Sequence, residues 1–160
     1  RLLTTRAGFV ASADRAPSRL EKAVGDVVVN VDETPITDVI EQPVNAIIEA
    51  TGSMAALASA LPLLAPGGTI LLLGYYQQLE IPYMPLFLKE ARLLTAKEWS
   101  PGDLTRCRDM MASGELDVRP LLTHELPVTQ VAQGYELALN DLDCLKIVFE
   151  WMDENQGATS

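Results

Sequence analysis

Histidine, cysteine and basic side chains are scarce in this sequence, and each shortage excludes a class of chemistry. A single histidine, His124, rules out a multi-histidine metal site. Two cysteines, Cys107 and Cys144, are too few for a disulfide framework or a cysteine-rich zinc site and fit a reducing cytoplasm. Only 12 Lys and Arg stand against 22 Asp and Glu, and a formal net charge of −10 opposes nucleic acid or an anionic membrane as partner. Apolar runs such as 70–74 fall far short of the roughly 20 residues that cross a bilayer, so no transmembrane segment is expected. The chain opens at Arg1 with no charged segment followed by an apolar one, so no secretory signal is expected either.

What is present is enough for one globular core: 160 residues, 48% of them hydrophobic. Phe9 to Ala13 reads as a strand ended by Asp14, and Pro17 then introduces a short helix through Leu20 and Ala23. Val27 to Val31, Val44 to Ala50 and Thr69 to Leu73 are apolar runs without alternation, the pattern of strands covered on both faces. Ser53 is placed to cap a helix through Met54, Leu57 and Leu61, which Pro62 shortens and Ala65-Pro66-Gly67-Gly68 ends in a tight turn. Leu93 to Ala96 is a further strand. Ser100-Pro101-Gly102-Asp103 opens a helix whose apolar face carries Leu104, Cys107 and Met111. Val131, Tyr135 and Ala138 or Leu139 trace the buried stripe of another, and Leu145, Ile147, Phe149 and Trp151 alternate as a half-buried terminal strand.

Strands alternating with helices at this spacing predict a Rossmann-like, doubly wound α/β fold with a mostly parallel sheet. Ligands of such sheets lie at the carboxyl ends of the strands, which places Asp14, Thr51-Gly52-Ser53 and Gly74-Tyr75 on one ligand-facing edge. Asp14 either accepts hydrogen bonds from both ribose hydroxyls of an adenosine, favouring NAD over NADP, or caps a helix; the neighbouring Arg15 cuts against the preference. Thr51, Gly52 and Gly74 carry too little bulk to hold a dinucleotide away from the backbone, and Gly74 reads almost equally well as a plain turn glycine. Tyr75 and Tyr76 either wall a pocket or are ordinary half-buried aromatics. Structural roles are expected of His124 and Cys107, the latter in the core, and Cys144 has no partner that would make it a nucleophile.

One motif is missing: no Gly-x-Gly-x-x-Gly lies anywhere in the sequence. Residues 1–8 read instead as the end of the helix that should follow it, so the chain is expected to start just after the phosphate-binding turn. The central strand of the order 3-2-1-4-5-6 would then be absent, and the two halves of the sheet could not pair with each other.

Read together, Asp14 with Arg19-Leu20 and Ala23, Ala50-Thr51-Gly52, the stretch 64–70 and Leu73-Gly74 resemble the cofactor half of the medium-chain dehydrogenase/reductases. Further segments, Gly74-Tyr75-Tyr76, Lys89-Glu90-Ala91-Arg92-Leu93, Lys97-Glu98-Trp99, Leu122-Thr123-His124 and the stretch 144–151, resemble the bacteriochlorophyllide a dehydrogenase branch of that superfamily. That branch oxidises the 3-(1-hydroxyethyl) group of a bacteriochlorophyllide to 3-acetyl with NAD as hydride acceptor. The resemblance implies a cofactor domain over 1–120, truncated at its start, and a segment over 121–160 that returns toward a separate catalytic domain. It implies cofactor contacts at Asp14, Arg15, Thr51, Gly52, Gly74 and Tyr75 and no metal site in this chain, and it carries over no catalytic residue, so the base stays unidentified. A wide apolar cleft for a macrocyclic substrate would draw on Tyr75, Tyr76, Tyr83, Met84 or Phe87, of which Met84 and Phe87 fit a core or subunit contact better. The terminal strand offers an edge for a homodimer. Three alternatives stay open at this point: another zinc-free alcohol or quinone oxidoreductase of the superfamily, a methyltransferase on the same sheet, and a non-catalytic binding module.

Overall fold

The computed structural model describes residues 2–151. In chain order the elements are β1 (Ala11–Asp14), α1 (Pro17–Leu20), β2 (Val27–Asn30), α2 (Ile36–Val39), β3 (Val44–Glu49), α3 (Met54–Ala60), β4 (Leu64–Leu72), α4 (Tyr83–Leu88), β5 (Arg92–Thr95), α5 (Asp103–Ala112), β6 (His124–Pro127), α6 (Val131–Asn140) and β7 (Ile147–Glu150). They fall into two compact units, one of Arg1–Asn30 with Thr105–Ser160 and the other of Val31–Leu104. Every strand pairing is parallel, in the orders β1-β2, β3-β4-β5 and β6-β7. Parallel neighbours need a crossover between them, and the helices supply it, which gives the α/β class expected of the sequence.

The core of the second unit forms around β4, the central strand of its sheet. Leu64 and Ile70 are fully buried there with Leu57 and Leu61 from the α3 side and Leu72 from the strand end. Ile47, Met54, Tyr76, Ile81, Leu86 and Ala91 pack around them. Helix α3 starts as its sequence predicts: the Ser53 hydroxyl accepts the Ala56 amide at 3.3 Å, and Pro62 sits in the 3₁₀ turn that ends it. Beyond it the chain departs from expectation, because β4 begins at Leu64 rather than Thr69. Leu64 pairs with Val44 and Thr69 with Ala46, so Pro66-Gly67-Gly68 bulge out of the ladder instead of preceding it. Gly67, at φ +69°, donates its amide to the Lys89 carbonyl at 2.6 Å, while the Lys89 ammonium donates to the carbonyls of Pro62 and Leu64.

In the first unit β1 and β2 run in register from Ala11 with Val27 to Asp14 with Asn30. Their start is fastened by the Asp26 carboxylate, which accepts the Val10 amide at 2.7 Å, and by the Ser12 hydroxyl, which donates to the Val24 carbonyl at 2.9 Å. Strands β6 and β7 form a second parallel pair with α6 as the crossover. The Thr123 hydroxyl ties that pair together: it accepts the amides of Leu145 and Lys146 at 3.0 and 3.3 Å and lies 3.2 Å from the Lys146 carbonyl.

Four expectations are corrected. Strands β2 and β3 are covered on one face only, because Val28 and Ile48 are exposed beside buried Val29 and Glu49. Residues 3–5 form a single 3₁₀ turn, not the end of an α-helix. Cys107 is exposed on α5, a helix that buries no residue, and so is not in the core. On α6 the stripe of Val131, Tyr135 and Leu139 faces solvent; the helix packs through buried Gly134 and half-buried Leu137. The reason is distance: a Cβ on Gly134 would lie 2.4 Å from the Phe149 ring of β7, so the helix approaches the sheet where it has no side chain.

That close approach reverses the usual sign of a glycine substitution in a helix, where a side chain normally gains up to about 1 kcal/mol. Gly134→Val is expected to lower unfolding stability by about 1–3 kcal/mol through overpacking. Adding Phe149→Leu should recover part of the loss, as measured by denaturant unfolding of the single and double variants.

Candidate functional site

Adjacent parallel strands end at the same edge of a sheet, so the segments leaving β3 and β4 emerge side by side. The Glu49 carbonyl accepts the Leu73 and Gly74 amides at 2.7 and 3.1 Å, which carries the strand pairing one step past the end of β4. Two turns then meet: Thr51-Gly52 leading into α3, and Gly74-Tyr75 beyond β4. Gly52 adopts φ +75°, a left-handed conformation that favours glycine. The backbones are in contact, because a Cβ on Gly74 would lie 2.2 Å from the Gly52 nitrogen and a Cβ on Gly52 would lie 2.7 Å from the Tyr75 carbonyl oxygen. The two glycines are therefore required by each other, and the edge they form is bare backbone.

Beneath this crossing lies Glu49, only 5% exposed and buried as a charged group. Burying a carboxylate is costly unless donors replace its water, and here they do. Oε1 accepts the Thr51 amide at 2.8 Å and the Thr51 hydroxyl, and Oε2 accepts the Gly52 amide at 3.0 Å. The Thr51 hydroxyl oxygen in turn accepts the Ser53 amide at 3.0 Å. Sequence reading passed over Glu49; the available signal was a lone acid ending an otherwise apolar strand, where a charge has to find partners.

Of the residues singled out from sequence, Thr51, Gly52, Gly74 and Tyr75 are thus brought together. Tyr75 is 91% exposed at this edge, whereas Tyr76 packs against the core cluster. Ser53 serves as the helix cap. Asp14 and Arg15 belong to the other compact unit, where Asp14 is the last residue of β1. The half-buried Asp14 carboxylate accepts the Arg15 amide at 2.7 Å and the Ala16 amide at 3.0 Å through Oδ1, closing the turn into α1. His124 lies with Nδ1 3.0 Å from the Thr123 hydroxyl, inside the clasp that joins β6 to β7, and Cys144 is buried just ahead of β7. Tyr83, Met84 and Phe87 are exposed on α4, with the Tyr83 and Phe87 rings stacked at 5.7 Å, so the last two are not core residues. Among the described residues no three His, Cys, Asp or Glu side chains gather as metal ligands.

Gly74→Ala, which drives a methyl into backbone, is expected to cost about 3 kcal/mol of unfolding stability, the upper range for overpacking. Gly67→Ala meets nothing within 4 Å and should cost only the strain of its positive φ, about 1 kcal/mol. Thermal unfolding of the two variants side by side checks the difference.

The chain is similar to proteins of one enzyme family. Residues 6–113 match the model of the zinc-binding dehydrogenases. A 2-desacetyl-2-hydroxyethyl bacteriochlorophyllide A dehydrogenase of Rhodobacter capsulatus is 35% identical over 138 residues, which cover 86% of this chain and 42% of that protein. A protein of the same name from Cereibacter sphaeroides is 38% identical over 107 residues, 66% of this chain and 34% of its own length. The chain therefore spans about two fifths or less of the curated relatives it matches. Among solved structures, an alcohol dehydrogenase of Escherichia coli CFT073 complexed with NADH superposes with a TM-score of 0.82 at 24% identity, over 91% of this chain and 45% of that one. The 2R,3R-butanediol dehydrogenase of Bacillus subtilis gives 0.81 at 18% identity, over 93% and 45%. At these identities the structures speak for the fold, and the family match sets the methyltransferase alternative aside. The chain belongs to the zinc-binding dehydrogenases of the medium-chain dehydrogenase/reductase superfamily.

Proposed function

We propose that this chain is the cofactor-holding part of a NAD-dependent alcohol dehydrogenase that oxidises the 3-(1-hydroxyethyl) group of a bacteriochlorophyllide to 3-acetyl. The observation that carries the cofactor part is the bare edge at Thr51, Gly52 and Gly74, at the carboxyl ends of adjacent parallel strands, where a dinucleotide can lie directly on backbone. The substrate part is supported by the two bacteriochlorophyllide dehydrogenases among the relatives.

In this reading residues 1–120 make the cofactor domain and 121–160 the segment that returns from it. Asp14 ends β1, the position from which a carboxylate reaches an adenosine ribose. A carboxylate has about four lone-pair sites, so accepting the Arg15 and Ala16 amides fixes its plane without exhausting its capacity. The same charge would repel a 2′-phosphate, and Arg15 beside it would soften that preference. Tyr75, standing out from the edge, would lie along the bound dinucleotide. NAD, when bound, supplies the acceptor for the hydride that leaves the carbinol carbon as the hydroxyl proton passes to a base and the C–O bond becomes a carbonyl. The chain's own part is to hold the dinucleotide still and keep one face of it toward the substrate. A second copy would pair, in this reading, along β7, which has β6 on one side and no strand on the other among the described residues.

Mixing the full-length protein with NAD and 3-(1-hydroxyethyl) bacteriochlorophyllide a tests the reaction directly. An acetyl carbonyl conjugated with the macrocycle should move the long-wavelength absorption band to the red, and the shift should require NAD. An unchanged spectrum with NAD bound would return the substrate to other alcohols. For the cofactor preference, Asp14→Asn keeps an acceptor for the turn and removes the charge. It should weaken NADH binding about tenfold and leave NADPH binding unchanged or stronger, by fluorescence titration; equal losses for both would remove Asp14 from the site.

A further inference from the structure

We propose that Glu49 is the positioning residue of the dinucleotide site: its buried carboxylate locks the Thr51-Gly52 turn against Gly74, so that two loops present one fixed edge of backbone. The inference rests on the reading of that edge as the NAD site and adds to it a residue that need not touch the cofactor.

The Glu49 side chain is not required for the structural tasks around it. It does not start α3, because the Ser53 hydroxyl takes the Ala56 amide. It does not pair the strands, because the main-chain carbonyl of Glu49 already accepts the Leu73 and Gly74 amides. The one task left to the carboxylate is to gather the Thr51 amide, the Thr51 hydroxyl and the Gly52 amide. All three are donors, so the acceptor must offer both oxygens, and a carboxylate does this where an amide cannot. Glutamine would turn an NH2 toward one of those donors and leave both groups unsatisfied in a buried place. The lock reaches the second loop through contact: a Cβ on Gly74 would fall 2.2 Å from the Gly52 nitrogen and 2.9 Å from Glu49 Oε2. A turn that shifts at Gly52 therefore has to shift Gly74 with it. Binding that depends on backbone approach is sensitive to such displacement in a way that core stability is not.

The test compares Glu49→Gln, in the full chain, with Leu57→Ala, a core change in the same unit that removes none of the Glu49 hydrogen bonds. NADH affinity is read by fluorescence titration and stability by thermal unfolding. Glu49→Gln is expected to raise the Kd for NADH about tenfold or more, while Leu57→Ala loses stability and keeps the native Kd. If Glu49→Gln binds NADH normally, or if both variants lose affinity in step with their stability, the side chain is merely structural and the proposal is overturned. Should Glu49→Gln not fold, Glu49→Asp keeps the charge but falls a methylene short, and the same comparison applies. Failure of the unaltered protein to bind either NADH or NADPH would instead remove the cofactor reading. The lock is then judged without ligand by hydrogen exchange at the Gly52 and Gly74 amides: faster exchange in the Glu49 variant than in Leu57→Ala upholds it, and equal exchange refutes it.

Discussion

A charged group with nearly all its surface removed from water constrains everything around it, and in this chain that group is the Glu49 carboxylate. Its donors come from the two residues of a single turn, Thr51 and Gly52, so the turn cannot relax without stranding the charge. That turn fixes Gly52 in a left-handed conformation, which brings its nitrogen so close to Gly74 that neither position admits a side chain. The bare edge is thus a consequence of the buried acid as much as of the glycines. Below it, Leu72 places the end of β4 in the same cluster that holds Leu57, Leu61, Leu64 and Ile70, so the edge stands on the best-packed part of its unit. Order runs outward from core to carboxylate to exposed backbone.

The sequence was most legible where local chemistry decides structure. Ser53 caps α3, Pro17 opens α1, and the β-branched runs become parallel strands, because each of these signals acts within a few residues. The signals that misled depend on what a face meets after folding. Val131, Tyr135 and Leu139 have helical spacing, yet the contact of α6 with its sheet is set by the Phe149 ring and falls on Gly134, a residue no hydrophobic pattern scores. Cys107 sits at core-like spacing on a helix that buries nothing. The Pro-Gly-Gly segment reads as a helix-ending turn from sequence but is a bulge, because Leu64 before it is needed in the core and so joins the ladder early. At the site itself the glycines were visible and the acid that organises them was not: a close approach leaves a signature in residue size, while the partners of a buried charge appear only once the turn is built.

Several strand residues that are apolar in sequence remain open on one face. Val28 and Ile48 are exposed while their strand neighbours Val29 and Glu49 are buried, and Leu93 and Leu94 of β5 are both exposed. Parallel strands are normally covered on both sides, which is why their sequences lack alternation. The composition of β2 and β3 therefore records two covering layers where the described residues supply one, and hydrophobicity alone would have overcounted the core.

Charge sets the terms on which such an edge can hold an anionic dinucleotide. With a net charge of −10 the chain cannot attract a pyrophosphate by its overall field, and the edge formed by Thr51, Gly52, Gly74 and Tyr75 carries no basic side chain. At such an edge affinity would have to come from short-range fit, through close backbone approach at Thr51, Gly52 and Gly74. Fit of that kind falls off with small displacements, whereas a diffuse positive field does not. A site of this composition depends on rigidity, and the expense of burying Glu49 is intelligible as the means of securing it.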